Sequence, residues 1–91
     1  MDQSEIIAIS KALSNETRFN ILREIPEDGE KICKDLSECF DVSSPTVTHH
    51  INRLIDLGLV VGRKEQTYHY LSRNQEKLIE YRQNLKTQFD L

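Results

Sequence analysis

Residues 43–60, SSPTVTHHINRLIDLGLV, constrain the fold of this chain more than any other stretch. Ser43 or Ser44 can cap a helix, and Pro45 suits the first helical turn because its missing N–H would have no partner there. Gly58 can adopt the left-handed conformation that commonly ends a helix. The stretch therefore predicts one helix with a defined start and a defined end.

On a helical wheel of about 100° per residue, this helix has an apolar stripe and an opposite polar face. The stripe, which we expect to be buried, consists of Val47, Ile51, Leu54 and Ile55. The polar face carries side chains that form hydrogen bonds, namely Thr46, His49, Arg53 and Asp56, with Asn52 and Thr48 toward one edge. His49 is predicted to point away from the core. His50 lies at the margin, where we expect it to pack or to form a local hydrogen bond.

Apolar spacing also predicts a helix near each end of the chain. The first covers residues 4–13 with Ser4 as its cap, and the last covers residues 75–89 after a cap at Asn74. Each carries an apolar stripe: Ile6, Ile9 and Leu13 on the first, and Leu78, Tyr81, Leu85 and Phe89 on the last. A single domain of 91 residues is near the lower end of sizes that bury an adequate core, so a second copy of the chain would relieve that shortage.

Two more helices are predicted between the first helix and the helix that Pro45 opens. One begins after a cap at Ser14 or Asn15 and stops at Pro26, which cannot continue a helix. The other covers residues 31–40. Asp41 follows it and is expected to take a left-handed turn conformation, which Asp tolerates better than most residues.

Two β-prone runs, Leu59–Val61 and Thr67–Leu71, come next, and the polar residues Gly62–Gln66 separate them. They predict a two-stranded hairpin with Arg63 and Lys64 at its tip. The complete pattern predicts a mainly α fold with a small β-hairpin. Two short helices joined by a turn of about three to four residues, with a hairpin behind them, are typical of a winged helix-turn-helix domain.

The net charge of −3 argues by itself against a nucleic-acid partner, but the charges are unevenly distributed. Residues 1–42 contain five Lys or Arg and ten Asp or Glu, residues 43–73 contain four and two, and residues 74–91 contain three and three. The one basic segment also holds all three histidines. An anionic partner is therefore expected to bind within residues 43–73.

The donors on the polar face of the fourth helix suit the major groove of double-stranded DNA, where they can reach base edges and phosphates. An ordinary solvated face is the alternative for this helix alone, but the hairpin cations favour DNA because they are placed to contact phosphate. The predicted DNA-binding residues are Ser44, Thr46, Thr48, His49, Arg53, Arg63, Lys64 and Tyr68. Two copies would read successive major grooves about 34 Å apart, which predicts an imperfect inverted repeat as the operator.

Two segments of the chain resemble the ArsR-type repressors. Residues 13–25, LSNETRFNILREI, are similar to the second-helix signature of that family, in which Asp or Asn precedes a Thr-Arg pair and an Ile-Leu pair. Residues 36–71 are similar to its reading unit and wing, here expected at about residues 31–58 and 59–71 of a single domain. The resemblance, over about residues 8–72, implies a winged helix-turn-helix homodimer that binds DNA as a repressor, with the two terminal stripes described above at its interface.

The chain departs from the family pattern at the turn, the wing and the sensor. Asp41 replaces the small Gly of the turn, and Glu65-Gln66 replaces a Gly-Arg pair at the wing tip, which puts deep insertion of the wing into the minor groove in doubt. Many relatives bind metal through Cys-x-Cys-Asp-Leu on the third helix or through Asp/His clusters on the last one. Here Ile32 and Lys34 stand in place of the two cysteines and the last helix has no histidine, so we expect no metal and no cofactor.

Cys33 and Cys39 need a separate interpretation. On one helix they would lie about 9 Å apart, which is too far for a disulfide. Both fall in the apolar arc of the predicted third helix, so we expect them to be buried and apolar. A redox role, or a zinc site that combines one thiolate with a histidine from another helix, remains the alternative.

Several classes of protein are disfavoured by this sequence. No signal-peptide pattern occurs near the start and no apolar run approaches the roughly 18 residues that span a bilayer, so we expect a cytoplasmic protein without a membrane partner. No Gly-rich phosphate loop, nucleophile elbow or HExxH motif is present, so we do not expect an enzyme. A sequence-specific DNA-binding regulator is the favoured interpretation, and a winged-helix module that binds another protein is the alternative.

Overall fold

The fourth predicted helix forms where its end signals place it. In the computed structural model, which describes residues 1–91, it spans Ser44–Asp56. The Oγ of Ser43 caps it by accepting a hydrogen bond from the Thr46 N–H at 3.3 Å. Gly58 follows the helix with φ of +78°, a conformation that side chains disfavour and glycine adopts without strain. Of the two candidate caps, Ser43 is therefore the one used.

Five helices and three strands make up the fold. In chain order they are α1 (Gln3–Leu13), α2 (Glu16–Glu24), β1 (Lys31–Ile32), α3 (Cys33–Ser37), α4 (Ser44–Asp56), β2 (Val60–Glu65), β3 (Tyr68–Arg73) and α5 (Gln75–Gln88). The strands form one antiparallel sheet in the order β1-β3-β2. The predicted mainly α class is confirmed, and the sheet has one strand more than the predicted hairpin.

Helix caps agree with the sequence at three of four predicted positions. Asn15 and Asn74 cap α2 and α5 through their side chains, as Ser43 caps α4. The prediction of Ser4 as the cap of α1 is wrong. That helix begins earlier, because Asp2 accepts a hydrogen bond from the backbone N–H of Glu5 at 2.8 Å and places its negative charge at the helix N-terminus.

The extra strand replaces the start of the predicted third helix, residues 31–40. Lys31–Ile32 form β1 opposite Leu71 and Tyr70 of β3. The third helix is thereby shortened to the single turn and a half of α3. A two-residue strand contains no alternating pattern, so the sequence alone could not separate it from the helix that follows.

The connection between α3 and α4 is longer than the predicted tight turn and covers residues 38–43. Asp41, within it, does not take the predicted left-handed conformation. The non-glycine residues with positive φ are Gln66 and Asp90. Because the connection is six residues long, it does not require one residue in a strained conformation.

The hairpin of β2 and β3 is longer than predicted. The two strands pair along their whole length, and only residues 66–67 lie between them. Arg63 and Lys64 therefore lie inside β2, opposite Tyr70 and His69, and not at the tip as predicted. The polar residues after Val61 were expected to form a loop, but the β-prone partners in β3 extend the ladder through them.

One hydrophobic core joins the first four helices to the sheet. Its buried side chains are Ile9, Ile21, Leu22, Ile25, Leu36, Val47, Ile51, Leu54, Leu59, Val60 and Leu71. Three of the four residues in the predicted stripe of α4 are fully buried, and the fourth, Ile55, is half-buried. No helix here combines the length and the apolar character that a membrane crossing requires.

The last helix, α5, lies against α1 and buries none of its own residues completely. The hydroxyl oxygens of Tyr81 and Ser10 are 2.7 Å apart, and the Nζ of Lys77 forms an ion pair with the carboxylate of Glu5. Further along α5, Leu85 is half-buried. The helix therefore has one side fixed to its own protomer and apolar atoms left in contact with solvent.

The predicted dimer stripe of α1 must be corrected. Ile6 and Ile9 are buried inside their own protomer, where α1 packs against α2 and α5 and Ile9 belongs to the core. They are not available to a second copy of the chain. The apolar residue that α1 exposes is Ile7, and Leu13 is half-buried.

We expect Ile51→Ala to lower the free energy of unfolding by about 2–5 kcal/mol, because Ile51 is fully buried and its truncation leaves a cavity. Val61→Ala, on the exposed side of β2, serves as the control and should cost about 1 kcal/mol or less. Urea denaturation followed by circular dichroism at one protein concentration measures both. Equal losses in the two variants would contradict the described core.

Candidate nucleic-acid interface

The polar face of α4 is open to solvent along its whole length. Its exposed residues are Ser44, Thr46, Thr48, His49, Asn52, Arg53 and Asp56. The predicted division of this helix into a buried and an exposed face is thus confirmed. Five of the predicted DNA-binding residues, Ser44, Thr46, Thr48, His49 and Arg53, share this one surface.

The hydroxyl group of Thr46 and the guanidinium group of Arg53, both on this face, differ in whether they already have a partner within the protomer. The Oγ1 of Thr46 lies 2.8 Å from the Oγ of Ser43, so it already belongs to the helix cap. Arg53 takes part in none of the protein's four ion pairs. Its guanidinium is therefore available to an external anion or to a base edge.

Arg53 also lines a groove of about 520 Å³ between α1 and α4. The groove is lined by Gln3, Ser4, Ile7, Ala8, Lys11 and Arg53. Lys11 therefore lies on the same surface as Arg53. This neighbour could not be predicted from the sequence, because only the folded structure places α1 and Arg53 around one groove.

His50 fastens α4 to the rest of the protomer. Its Nδ1 lies 3.1 Å from the Nη1 of Arg18, and the Nε of Arg18 donates to the carbonyl of Ala12 at 2.9 Å. A guanidinium can only donate, so Nδ1 of His50 must accept and the ring must be neutral. The predicted local role of His50 is confirmed, whereas the ring of His49 is exposed.

Arg63, on the wing, is occupied within the protomer. Its Nε and Nη2 donate to the two carboxylate oxygens of Glu30 at 2.8 and 2.9 Å, and its Nη1 donates to Glu65 at 2.6 Å. The guanidinium also lies 4.4 Å from the centre of the Tyr70 ring. Hydrogen bonds from Arg63 lower the pKa of Glu30, and those to the two carboxylates raise the pKa of Arg63.

Few cations of the basic segment are therefore unpaired. Arg73 donates to the carbonyls of Leu22 and Arg23 at 3.0 and 3.3 Å, so it holds the end of β3 to α2. Arg53 and Lys64 are the two cations of residues 43–73 that bind neither a carboxylate nor a carbonyl in the protomer. Beside the turn of the hairpin, Tyr68 is exposed.

The third histidine, His69, packs on the inner side of the hairpin. A Cβ added to Gly62 would lie 2.6 Å from the Nε2 of His69 and 3.3 Å from the Cδ1 of Ile55. A larger residue at position 62 would therefore have to displace the His69 ring, whereas the backbone conformation of Gly62 sets no such limit. The three histidines of the basic segment consequently have three different environments.

Comparison with known proteins agrees with this geometry. A family model described as a helix-turn-helix domain matches residues 13–63, which run from the end of α1 into β2. The arsenical resistance operon repressor of Staphylococcus aureus is 38% identical over 85 residues, covering 93% of this chain and 81% of the relative. The chain belongs to the ArsR family. This is a family of DNA-binding transcriptional regulators and not of enzymes.

Solved structures of other proteins support the ArsR-type winged helix-turn-helix fold. The crystal structure of an ArsR family transcriptional regulator superposes with a TM-score of 0.85 at 22% identity, covering 99% of this chain and 92% of that one. The homodimeric winged helix-turn-helix DNA-binding domain of a Mycobacterium bovis protein superposes with a TM-score of 0.73 at 23% identity, covering 96% of this chain and 80% of that one. At these identities the likeness establishes the fold.

The surroundings of the two cysteines do not support the alternative of a zinc site that combines a thiolate with a histidine. Cys33 is half-buried, and burial raises the pKa of its thiol, which disfavours the thiolate that a metal needs. Cys39 is exposed, so the prediction that it is buried is wrong: α3 ends at Ser37, before the apolar arc reaches it. No group of three or more His, Cys, Asp or Glu side chains in residues 1–91 is placed to hold a metal ion.

We expect the stability of the fold to depend on pH through the protonation of His50. Burial, the Arg18 guanidinium and the charge of His49 lower the pKa of His50 below the usual 6.5. The unfolded chain therefore binds a proton at His50 more readily than the folded one, so this contribution to stability is present above about pH 6.5 and is lost as the pH falls below it.

His50→Gln should remove part of this loss, since the amide oxygen can accept from Arg18 and does not titrate. Urea denaturation at pH 7.5 and 5.5 compares this variant with the parent chain. His49→Gln, on the exposed face of the same helix, is the control and should retain the larger part of the pH dependence, because the charge of His49 is the smallest of the three causes that lower the pKa of His50. An unchanged pH dependence in His50→Gln would contradict the prediction that protonation of His50 destabilises the fold.

Proposed function

We propose that this ArsR-family chain acts as a homodimeric repressor that binds an imperfect inverted repeat in double-stranded DNA in the cytoplasm. The observation that carries the proposal is the exposed polar face of α4, on which Arg53 has no partner in the protomer. A helix with such a face, stabilised by a buried stripe on its other side, is the element that this fold inserts into a major groove.

Within the groove, the two ends of α4 would have different roles. Ser44 and Thr46, in the first turn, are close to the backbone N–H groups of the helix N-terminus, where phosphate binds favourably. Thr48, His49 and Arg53, further along, would reach base edges. Arg53 would contribute most to discrimination, because a guanidinium can donate two parallel hydrogen bonds to guanine.

The wing would contact the flanking sugar-phosphate backbone. Lys64 forms no ion pair within the protomer and would supply the positive charge of the wing. Tyr68 would supply a hydroxyl donor beside the turn. Arg63 is also proposed as a phosphate contact, although it must first leave the carboxylates that hold it. Such contacts add affinity without reading sequence.

A second copy of the chain would cover apolar residues that α1 and α5 leave in solvent. Phe89 is 69% exposed, and Ile79 and Ile7 are 45% exposed each. Only 13 of 91 residues are buried in the protomer, a small core for a chain of this length. The partly exposed stripe of Leu78, Tyr81, Leu85 and Phe89 is proposed as the interface, with Ile7 in place of the buried Ile6 and Ile9, and Leu13 at its edge.

In vitro selection from a randomised duplex pool tests the DNA-binding proposal directly. We expect one sequence class with twofold symmetry, whose half-sites lie about 34 Å apart on the duplex. A pool that enriches no sequence would reject the proposal. It would favour the alternative of a protein-binding module if a pull-down then recovered a stable partner.

We expect Arg53→Ala to weaken binding of the selected duplex by about 1–3 kcal/mol and to relax specificity at the base it contacts. Lys64→Ala should weaken all duplexes about equally and reduce the slope of log Kd against log salt by about 0.9. Lys86→Ala, on α5, is the charge-matched control. Fluorescence anisotropy from 50 to 200 mM salt measures all three, and loss of affinity only in the control would contradict the assignment.

The dimer interface is tested with apolar-to-charged variants. Phe89→Asp and Ile79→Asp should each shift the protein from dimer to monomer, because a buried, unpaired carboxylate is costly at an interface. Val61→Asp, on the exposed side of β2, is the matched control and should leave the dimer intact. Sedimentation equilibrium gives the masses. A dimer that only Val61→Asp disrupts would place the interface on the wing instead.

A further inference from the structure

The guanidinium of Arg63 has carboxylate oxygens on each of its three nitrogens. Glu30 binds the Nε and Nη2 edge in a bidentate geometry, and Glu65 binds Nη1. Tyr70 lies against the planar face of the same group. Three of the five N–H donors of the guanidinium are therefore already engaged, including the bidentate edge that a DNA phosphate would use.

The two carboxylates differ in where they come from. Glu65 lies on β2 together with Arg63, so it moves with the wing. Glu30 lies in the loop that joins α2 to β1 and reaches the wing from another part of the fold. Glu30 is therefore the carboxylate whose removal would free the bidentate edge of Arg63 without changing the strand.

The charge and the exposure of this cluster allow a phosphate to replace a carboxylate as the partner of Arg63. One guanidinium faces two carboxylates, so the cluster has a net charge of −1 where a wing would approach DNA. The Arg63 side chain is 49% exposed, and exposed ion pairs contribute little to stability. A phosphate can therefore compete for Arg63, but Glu30 occupies the place that the phosphate would take.

We propose that Glu30 is an intramolecular competitor of DNA phosphate for Arg63, so that it weakens the contact between the wing and DNA. This inference rests on the proposed DNA-binding function and adds a residue that limits affinity. In the free protein, Arg63 is bound to Glu30. In the complex, the same N–H donors bind a phosphate oxygen, and Glu30 is released to solvent.

Glu30→Gln tests the proposal on the duplex selected with the parent chain. An amide keeps the shape of the side chain and loses its charge, so Arg63 becomes available. We expect Kd at 50 mM salt to fall by about threefold or more, and the slope of log Kd against log salt to become steeper by up to about 0.9, the value for one added phosphate contact. Circular dichroism checks that the variant is folded.

Asp28→Asn provides the matched control. Asp28 lies in the same loop as Glu30 and has no contact with Arg63, and its substitution by Asn removes the same charge. If both variants tighten binding equally, the effect is one of overall charge and the proposal is overturned. A change in Glu30→Gln well above that in Asp28→Asn supports it.

The double variant Glu30→Gln, Arg63→Gln isolates the pair itself. Compared with Arg63→Gln alone, the added Glu30→Gln change should have no larger effect than Asp28→Asn has on the parent chain. A full Glu30→Gln effect without Arg63 would overturn the proposal. A parent chain that binds no duplex at all would instead reject the proposed function, so the two failures are distinguishable.

The Arg63 Nε–H resonance gives a readout that needs no variant at position 30. Titration of the parent chain with the selected duplex should shift this NMR signal as its partner changes from carboxylate to phosphate. Arg18, which donates to Ala12 and lies near His50 in the protomer, supplies a reference guanidinium. An Arg63 signal that stays constant while the duplex saturates the protein would overturn the proposal.

Discussion

The packing of α4 against the core fixes the orientation of its polar face. Val47, Ile51 and Leu54 are fully buried, and burial of each such side chain is worth about 1.5–3 kcal/mol. Rotation of the helix about its axis would expose these residues and bury Arg53 or His49, and burial of an unpaired charge is costly. Position on the helix surface therefore decides which side chains meet a partner, and the bond from Arg18 to His50 fixes the same rotation from the helix margin.

Several arginines are used for structure and not left free for a ligand. Arg18 joins the end of α1 to α4, and Arg73 joins β3 to the carbonyls at the end of α2. Arg63 joins the wing to the loop before β1. A count of basic residues in the sequence consequently overestimates the positive charge that this surface can offer. Of the four Lys and Arg residues in 43–73, only Arg53 and Lys64 have no partner within the protomer.

The sequence predicted the parts of the fold that depend on local signals. The start of α4 follows from Ser43 and Pro45, its end from Gly58, and its two faces from helical spacing. The prediction failed where tertiary contacts decide the structure. Strand β1 forms because β3 provides a partner for it. The hairpin turn lies at Gln66, whose φ is positive, and a glutamine in the sequence does not indicate such a turn. Glu30 was missed for the same reason, since only the folded loop brings its carboxylate to Arg63.

An acidic chain whose basic segment leaves few cations unpaired sets a particular balance between affinity and specificity. Non-specific binding depends almost wholly on phosphate contacts, so a protomer that offers Arg53 and Lys64, with Arg63 held by Glu30, gains little from an arbitrary duplex. Contacts to base edges are unaffected by that deficit, because they depend on the donors along α4. A dimer doubles both sets of contacts and leaves the proportion between them unchanged. In the proposed function, neutralisation of the wing therefore costs affinity about equally at every site, and the ratio between a correct operator and random DNA depends on the base contacts of α4.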